Sequence, residues 1–349
     1  MTDLTAIFQT FSKADWRELG QFARSPVHNS RADVVQLLDM LAVAAPGFPE
    51  KKALEAALWP NETVDPKRLN YLQGYLQKTV FDWLTWKELT TDPQRNAVHL
   101  VRALRKRGAD RVFQKTWAES MARTERQPLR HIAHFKRKGQ LFLEKNEAGK
   151  RQKRGDALFF QEMSDAMTTH AVAEWLRHGC TLLSHEQVGG KRVDFPLLAP
   201  VLTVLESRPE LLREAVVAAY FHVFKSMTEL EPEPHFWDLK RILAENWQLF
   251  PSDESRDLYL FAINFCIKKA NQGQKQFVRE AFELYRFGLG DSRLLLENGQ
   301  LSPYAYNNVM LIALSFGERD WARDFLEKWR PFLPEKEREN AYLHNLAQF

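Results

Sequence analysis

The sequence predicts an all-α protein: a right-handed α-solenoid of antiparallel helix pairs with no substantial β-sheet. Three observations lead there. Apolar residues return at three- and four-residue steps over long segments, the signature of helices with one buried face. Helix-capping residues recur along the chain, whereas strand punctuation is almost missing. The breaks are single glycines, prolines or short polar turns, with no Gly-rich or Ser-rich linker, so consecutive helices double back on one another. With 44% hydrophobic and 12% aromatic residues in 349, the chain has ample apolar material for a continuous core.

From the N-terminus, Ser12 precedes Lys13-Ala14-Asp15 and Ser30 precedes Arg31-Ala32-Asp33. In each, a hydroxyl can accept from a free backbone N–H while an acid three residues on faces the helix dipole. Asp65-Pro66 and Asp92-Pro93 place a carboxylate before a proline at a first helical position, where the missing N–H costs nothing. From Pro66 to Thr90, Leu69, Leu72, Leu76, Val80, Trp83 and Trp86 form one apolar face of a long helix. Further helices are expected at 94–107, 109–125, 129–146, 157–186, 196–206, 209–227, 233–248, 253–271, 274–288, 303–316, 318–330 and 335–349. Breaks fall at Gly108, Pro128, Gly155, Gly189-Gly190, Ser207 to Pro209, Pro232, Pro251, Gly273 and Gly317. Only Leu294 to Leu301, containing Asn298-Gly299, reads as a turn of extended chain. The organisation expected is an N-terminal helical region over 1–91 and a repeat region over 92–349.

The segment 303–336 carries the sharpest pattern. Tyr306 lies early in one helix, Gly317 at the turn, Ala322 five residues later, then Phe325, Trp329, Pro331 and Pro334. This resembles a tetratricopeptide repeat, with departures at Met310, Ala313 and Arg319. The glycine lets the chain reverse, Ala322 lets the second helix approach the first, and Phe325 with Trp329 fill the groove to the next pair. The segment 339–349 looks like the first helix of a further repeat. Leu343, Leu346 and Phe349 give it an apolar face with no helix after it, so the expectation is a longer native chain or an end that docks on another surface, a second copy included. The runs 249–273, Leu295 to Pro303 and Phe22 to Asn29 are similar to a group of uncharacterised helical proteins from the Bacteroidota. That resemblance implies a helical-repeat fold and no particular activity.

Charge is unevenly placed. Residues 101–155 hold 17 Lys/Arg against 5 Asp/Glu, although the whole chain is only +4. In helix 129–146, Ile132, Phe135, Phe142 and Leu143 gather on one side, and Arg130, His134, Arg137 and Lys138 on the other, a cationic outer face. With Arg102, Arg105 and Lys106 at one helix end and Lys150, Arg151, Lys153 and Arg154 in a loop, this belt is a candidate contact for anions or nucleic acid.

Chemistry is otherwise sparse. No phosphate-binding glycine loop, nucleophile elbow, His-Glu-x-x-His or paired Cys-x-x-Cys occurs. His170, Glu174 and His178 share a helix, but i and i+8 stand about 12 Å apart along the axis, so all three cannot converge on one metal. Cys180 and Cys266 read as reduced, packed thiols. The first residues lack the basic start and apolar run of a secretory signal, and apolar stretches are too short to span a bilayer. A cytoplasmic, non-membrane protein without cofactor or catalytic centre is expected.

The functional expectation is a non-enzymatic scaffold that binds a protein or peptide partner, acidic segments included. In the tetratricopeptide register Tyr304, Asn307, Leu311 and Ser315 face the peptide-holding side. The alternatives are a nucleic-acid binder using the belt, and a regulator with a winged helix built around Ala57 to Pro60 and Asp65 to Leu84.

Overall fold

The computed structural model describes residues 2–45, 47–60, 65, 67–149, 157–190, 193–290 and 294–349. Its described residues form α-helices joined by short turns, with no strand; an isolated antiparallel bridge joins Glu297 and Gln300. No described helix is long and apolar enough to cross a membrane. Contacts divide the chain into two compact units, Met1–Leu100 and Val101–Phe349.

In the first unit, α1 (Thr2–Phe8), α2 (Lys13–Arg24), α3 (Ala32–Ala44), α4 (Lys51–Leu58) and α5 (Arg68–Thr91) enclose one core. Leu19, Leu37, Leu38, Leu54, Leu69, Leu76, Val80 and Trp83 are buried together there. Fully burying such a side chain is worth about 1.5–3 kcal/mol. Ser12 opens α2 with a complete capping box: its hydroxyl accepts from the Asp15 N–H, and Asp15 accepts from the Ser12 N–H at 2.8 Å. Asp15 is also paired with Lys87 of α5, and Lys87 and Ser12 hold its carboxyl down at about 2.

Two N-terminal expectations require correction. Ser30 does not cap α3, because Asn29 Oδ1 already takes the Arg31 N–H at 3.1 Å, and Asp33 turns back to Arg31. The long helix begins at Arg68, not at Pro66; Asp65 Oδ1 accepts from Lys67 N at 2.8 Å, and Pro66 lies outside the described residues. Helices α1 and α4 are additions to those expected. After Thr91 the next helix, α6 (Pro93–Lys106), starts at once, so no hairpin that could serve as a wing follows α5 among the described residues. Asp92 caps α6 as expected, accepting from Gln94 N and Arg95 N at 2.8 and 3.1 Å.

The second unit continues with α7 (Asp110–Arg126), α8 (Ile132–Gly149), α9 (Ala157–Gly189), α10 (Leu198–Ser207), α11 (Ala215–Thr228) and α12 (Glu233–Asn246). It ends with α13 (Ser252–Asn271), α14 (Gln276–Gly288), α15 (Pro303–Ser315), α16 (Arg319–Trp329) and α17 (Glu335–Leu346). Neighbours in sequence pack on each other: α8 on α9, α11 on α12, α13 on α14, α15 on α16. Alternate helices meet too, α9 with α11, α11 with α13, and α15 with α17. The expected helix 209–227 is interrupted: Pro209–Arg213 is a 3-10 turn, and α11 starts at Ala215.

The α15–α16 hairpin turns at Gly317, whose φ of 74° suits glycine. Tyr306 is fully buried, donates to the Leu326 carbonyl at 2.8 Å and packs on Phe325, with Ala313 and Ala322 buried beside it. At Asn298-Gly299 both residues have positive φ, and Glu297 and Gln300 exchange two backbone hydrogen bonds, a two-residue primed turn.

Candidate functional site

The basic belt contains both surface charge and interior charge. Glu144 is buried, and both Arg102 and Arg105 reach it, their Nε atoms 2.5 and 2.8 Å from its two oxygens. Burial alone would raise the Glu144 carboxyl, yet the two guanidiniums hold it below the usual range. Arg130 donates to the carbonyls of Gln127 and Glu125 at the end of α7, and Lys138 pairs with Glu125 at 2.7 Å.

The expected cationic outer face of α8 is corrected most sharply. His134 is 1% exposed and Arg137 is 9% exposed, with Arg137 donating to Gln127 Oε1, whereas Leu143, assigned to the core side, is exposed. The cause is that α8 packs on both α7 and α9, so both its flanks are covered. Trp117 of α7 donates to the Leu141 carbonyl at 2.7 Å, and Phe142 meets Phe159 of α9. A Cβ on Gly139 would stand 3.2 Å from Met167, so α8 and α9 approach closely there. Lys106 remains exposed, as do Arg107, Arg111, Arg123, Arg126 and Lys136. Lys150, Arg151, Lys153 and Arg154 lie outside the described residues.

On α15, Tyr304 is 81% and Leu311 52% exposed, and Ser315 is exposed with its hydroxyl donating to the Ile312 carbonyl. Asn307 departs from this surface role: half-buried, it accepts from the buried Asn345 amide of α17 at 2.6 Å. On α17, Leu343 and Leu346 are exposed, whereas Phe349 packs on the core.

A groove that sequence reasoning did not identify runs where α11 lies between α9 and α13. Arg177, His178, Thr181, Ser184 and His185 share one face of α9, at three- and four-residue spacing. Asp257, Leu260, Phe261, Asn264 and Lys268 share a face of α13 in the same way, and Tyr220, Val223 and Met227 supply the α11 floor. The main cleft holds about 460 Å³. It continues past Ser184, Phe261 and Asn264, common to both parts, into an apolar hole of about 70 Å³ between Val223, Met227 and Phe265. The hydroxyls, amide and imidazoles can donate to or accept from a bound chain, and the hole can take an apolar side chain.

The groove is anchored from below. Buried Cys180 of α9 lies 3.5 Å from the Tyr220 carbonyl of α11, and burial pushes its thiol well up, so it serves packing. Beneath the floor Tyr220 faces Glu254, both at least nine-tenths buried, and neither the Tyr220 hydroxyl nor Glu254 Oε1 meets hydrogen-bond geometry with a described group. Burial pushes the Glu254 carboxyl up to about 7, with Tyr220 and Arg177 opposing. Glu174 accepts from Arg177 at 3.1 Å and stands 3.4 Å from His178. No group of three potential ligands is arranged to hold a metal ion among the described residues.

No family model, curated protein or solved structure matches the chain.

Proposed function

We propose that the protein is a non-enzymatic helical-repeat scaffold, a tetratricopeptide-like α-solenoid that holds a protein or peptide partner in the groove of α9, α11 and α13. The observation that carries this is the groove itself, where α9 and α13 align polar side chains over an α11 floor along a cleft that ends in an apolar hole. Such a cleft suits an extended peptide, whose backbone needs both donors and acceptors along its length. The packing of alternate helices, α9 with α11 and α11 with α13, supports the solenoid reading, as does the buried Tyr306, Ala322 and Phe325 set in α15 and α16.

Affinity purification from native extract tests the reading. Asn264 is exposed and lines both parts of the groove, so Asn264→Trp blocks it without disturbing the core. A partner recovered in stoichiometric amount by the native chain and by Leu311→Asp, but lost with Asn264→Trp, is the expected result. A partner retained by Asn264→Trp and lost with Leu311→Asp would move the site to α15.

A further inference from the structure

Building on the groove reading above, we infer that the bound segment is an acidic peptide that places one apolar side chain between Val223, Met227, Phe261 and Phe265. Arg177 and Lys268 line the groove as cations, against the single lining carboxylate of Asp257. Glu174 stands outside the lining and pairs with Arg177 at 3.1 Å, so the cation that faces the ligand is Lys268, beside the apolar hole. The carboxylate beneath the floor, Glu254, is pushed up to about 7 by burial and is only partly ionised near neutrality, which lowers its repulsion toward an acidic ligand. The hole adjoins Lys268, so a peptide anchored there by an apolar side chain brings a neighbouring carboxylate to the ammonium, and the exposed His185 ring can donate a hydrogen bond to another along α9. Charge complementarity of this kind sets partner choice as well as encounter rate.

The test is selection from a library of random twelve-residue peptides displayed on their encoding nucleic acid, with the full chain as bait. Peptides retained by the native chain and lost with Asn264→Trp are groove ligands, circular dichroism having shown that the variant keeps its helices. The expected outcome is that these ligands are enriched in Asp and Glu around one apolar residue. They should bind about ten-fold more weakly to His185→Glu, an exposed position where the added carboxylate repels an acidic ligand and leaves the fold intact. Groove ligands enriched in Lys and Arg, or without charge bias, would overturn this inference and leave the groove reading standing. A library with no peptide that distinguishes the native chain from Asn264→Trp would refute the groove reading itself.

Discussion

Acidification from pH 7 to pH 5 reads out the burial of His134. The imidazole is 1% exposed, and burial, with Arg130 reinforcing it, lowers its pKa from 6.5 to about 4. Glu125 opposes the shift, while Lys138 and His131 add to it. An unfolded chain therefore takes up about three-quarters of a proton on this side chain between pH 7 and 5, and the folded chain takes up almost none. Because the unfolded state binds more protons in this window, stability falls as pH falls. At 1.36 kcal/mol per unit, the loss from this one group is about 2 kcal/mol at pH 5, approaching 3 kcal/mol at pH 4. His134→Leu removes the titration and fills the same space with apolar atoms, the Nδ1 atom being unpartnered in the fold. Urea unfolding of both proteins at pH 7 and pH 5 measures the difference. The native protein should lose about 2 kcal/mol more than His134→Leu over this interval. Equal losses in the two proteins, within about 0.5 kcal/mol, would refute the account of α8 as a helix covered on both flanks.

Three further outcomes are expected. Glu144→Ala leaves Arg102 and Arg105 without their shared carboxylate; because both arginine side chains are partly exposed and can rehydrate, the loss is about 2 kcal/mol, read as a shift of the urea midpoint. A loss below about 0.5 kcal/mol would place that cluster among weak surface pairs. Gly317→Ala has no neighbour to strike but must hold φ near 74°, so it costs about 1 kcal/mol by strain alone in thermal unfolding; no change in midpoint would contradict the turn geometry. With Arg102, Arg105, Arg130 and Arg137 committed to protein partners, a chain that works through its groove should lose affinity for generic DNA or RNA by only about ten-fold or less between 50 and 200 mM salt, as for roughly two phosphates, whereas a thousand-fold fall would restore the exposed cations of the belt as a nucleic-acid surface.

Local signals were legible wherever one residue sufficed to determine the backbone. Ser12 with Asp15, Asp92 before Pro93, Asn298-Gly299 and Gly317 each act within a few residues, and the structure places them as those rules require. The character of α8 was not legible, because a helical wheel assigns polar residues to solvent, and only the packing of α7 and α9 reveals that His134 and Arg137 are covered. Glu144 lay in the same segment as an unremarked acid, yet it organises Arg102 and Arg105 from about forty residues away. The groove was hidden for the same reason. His178 drew attention only as a metal-like residue on its own helix, while Tyr220, Phe261 and Asn264 meet it through tertiary packing that no local period records.

Site-specific photo-crosslinking tests the central claim most directly. A benzophenone amino acid is placed at position 264 in the groove, at 311 on α15 or at 123 on the belt, and each full-length chain is irradiated in native extract. The account predicts one discrete polypeptide adduct from position 264, suppressed by an excess of the selected acidic peptide, and none of that mass from the other two positions. An adduct from 311 or 123 with none from 264 would contradict it.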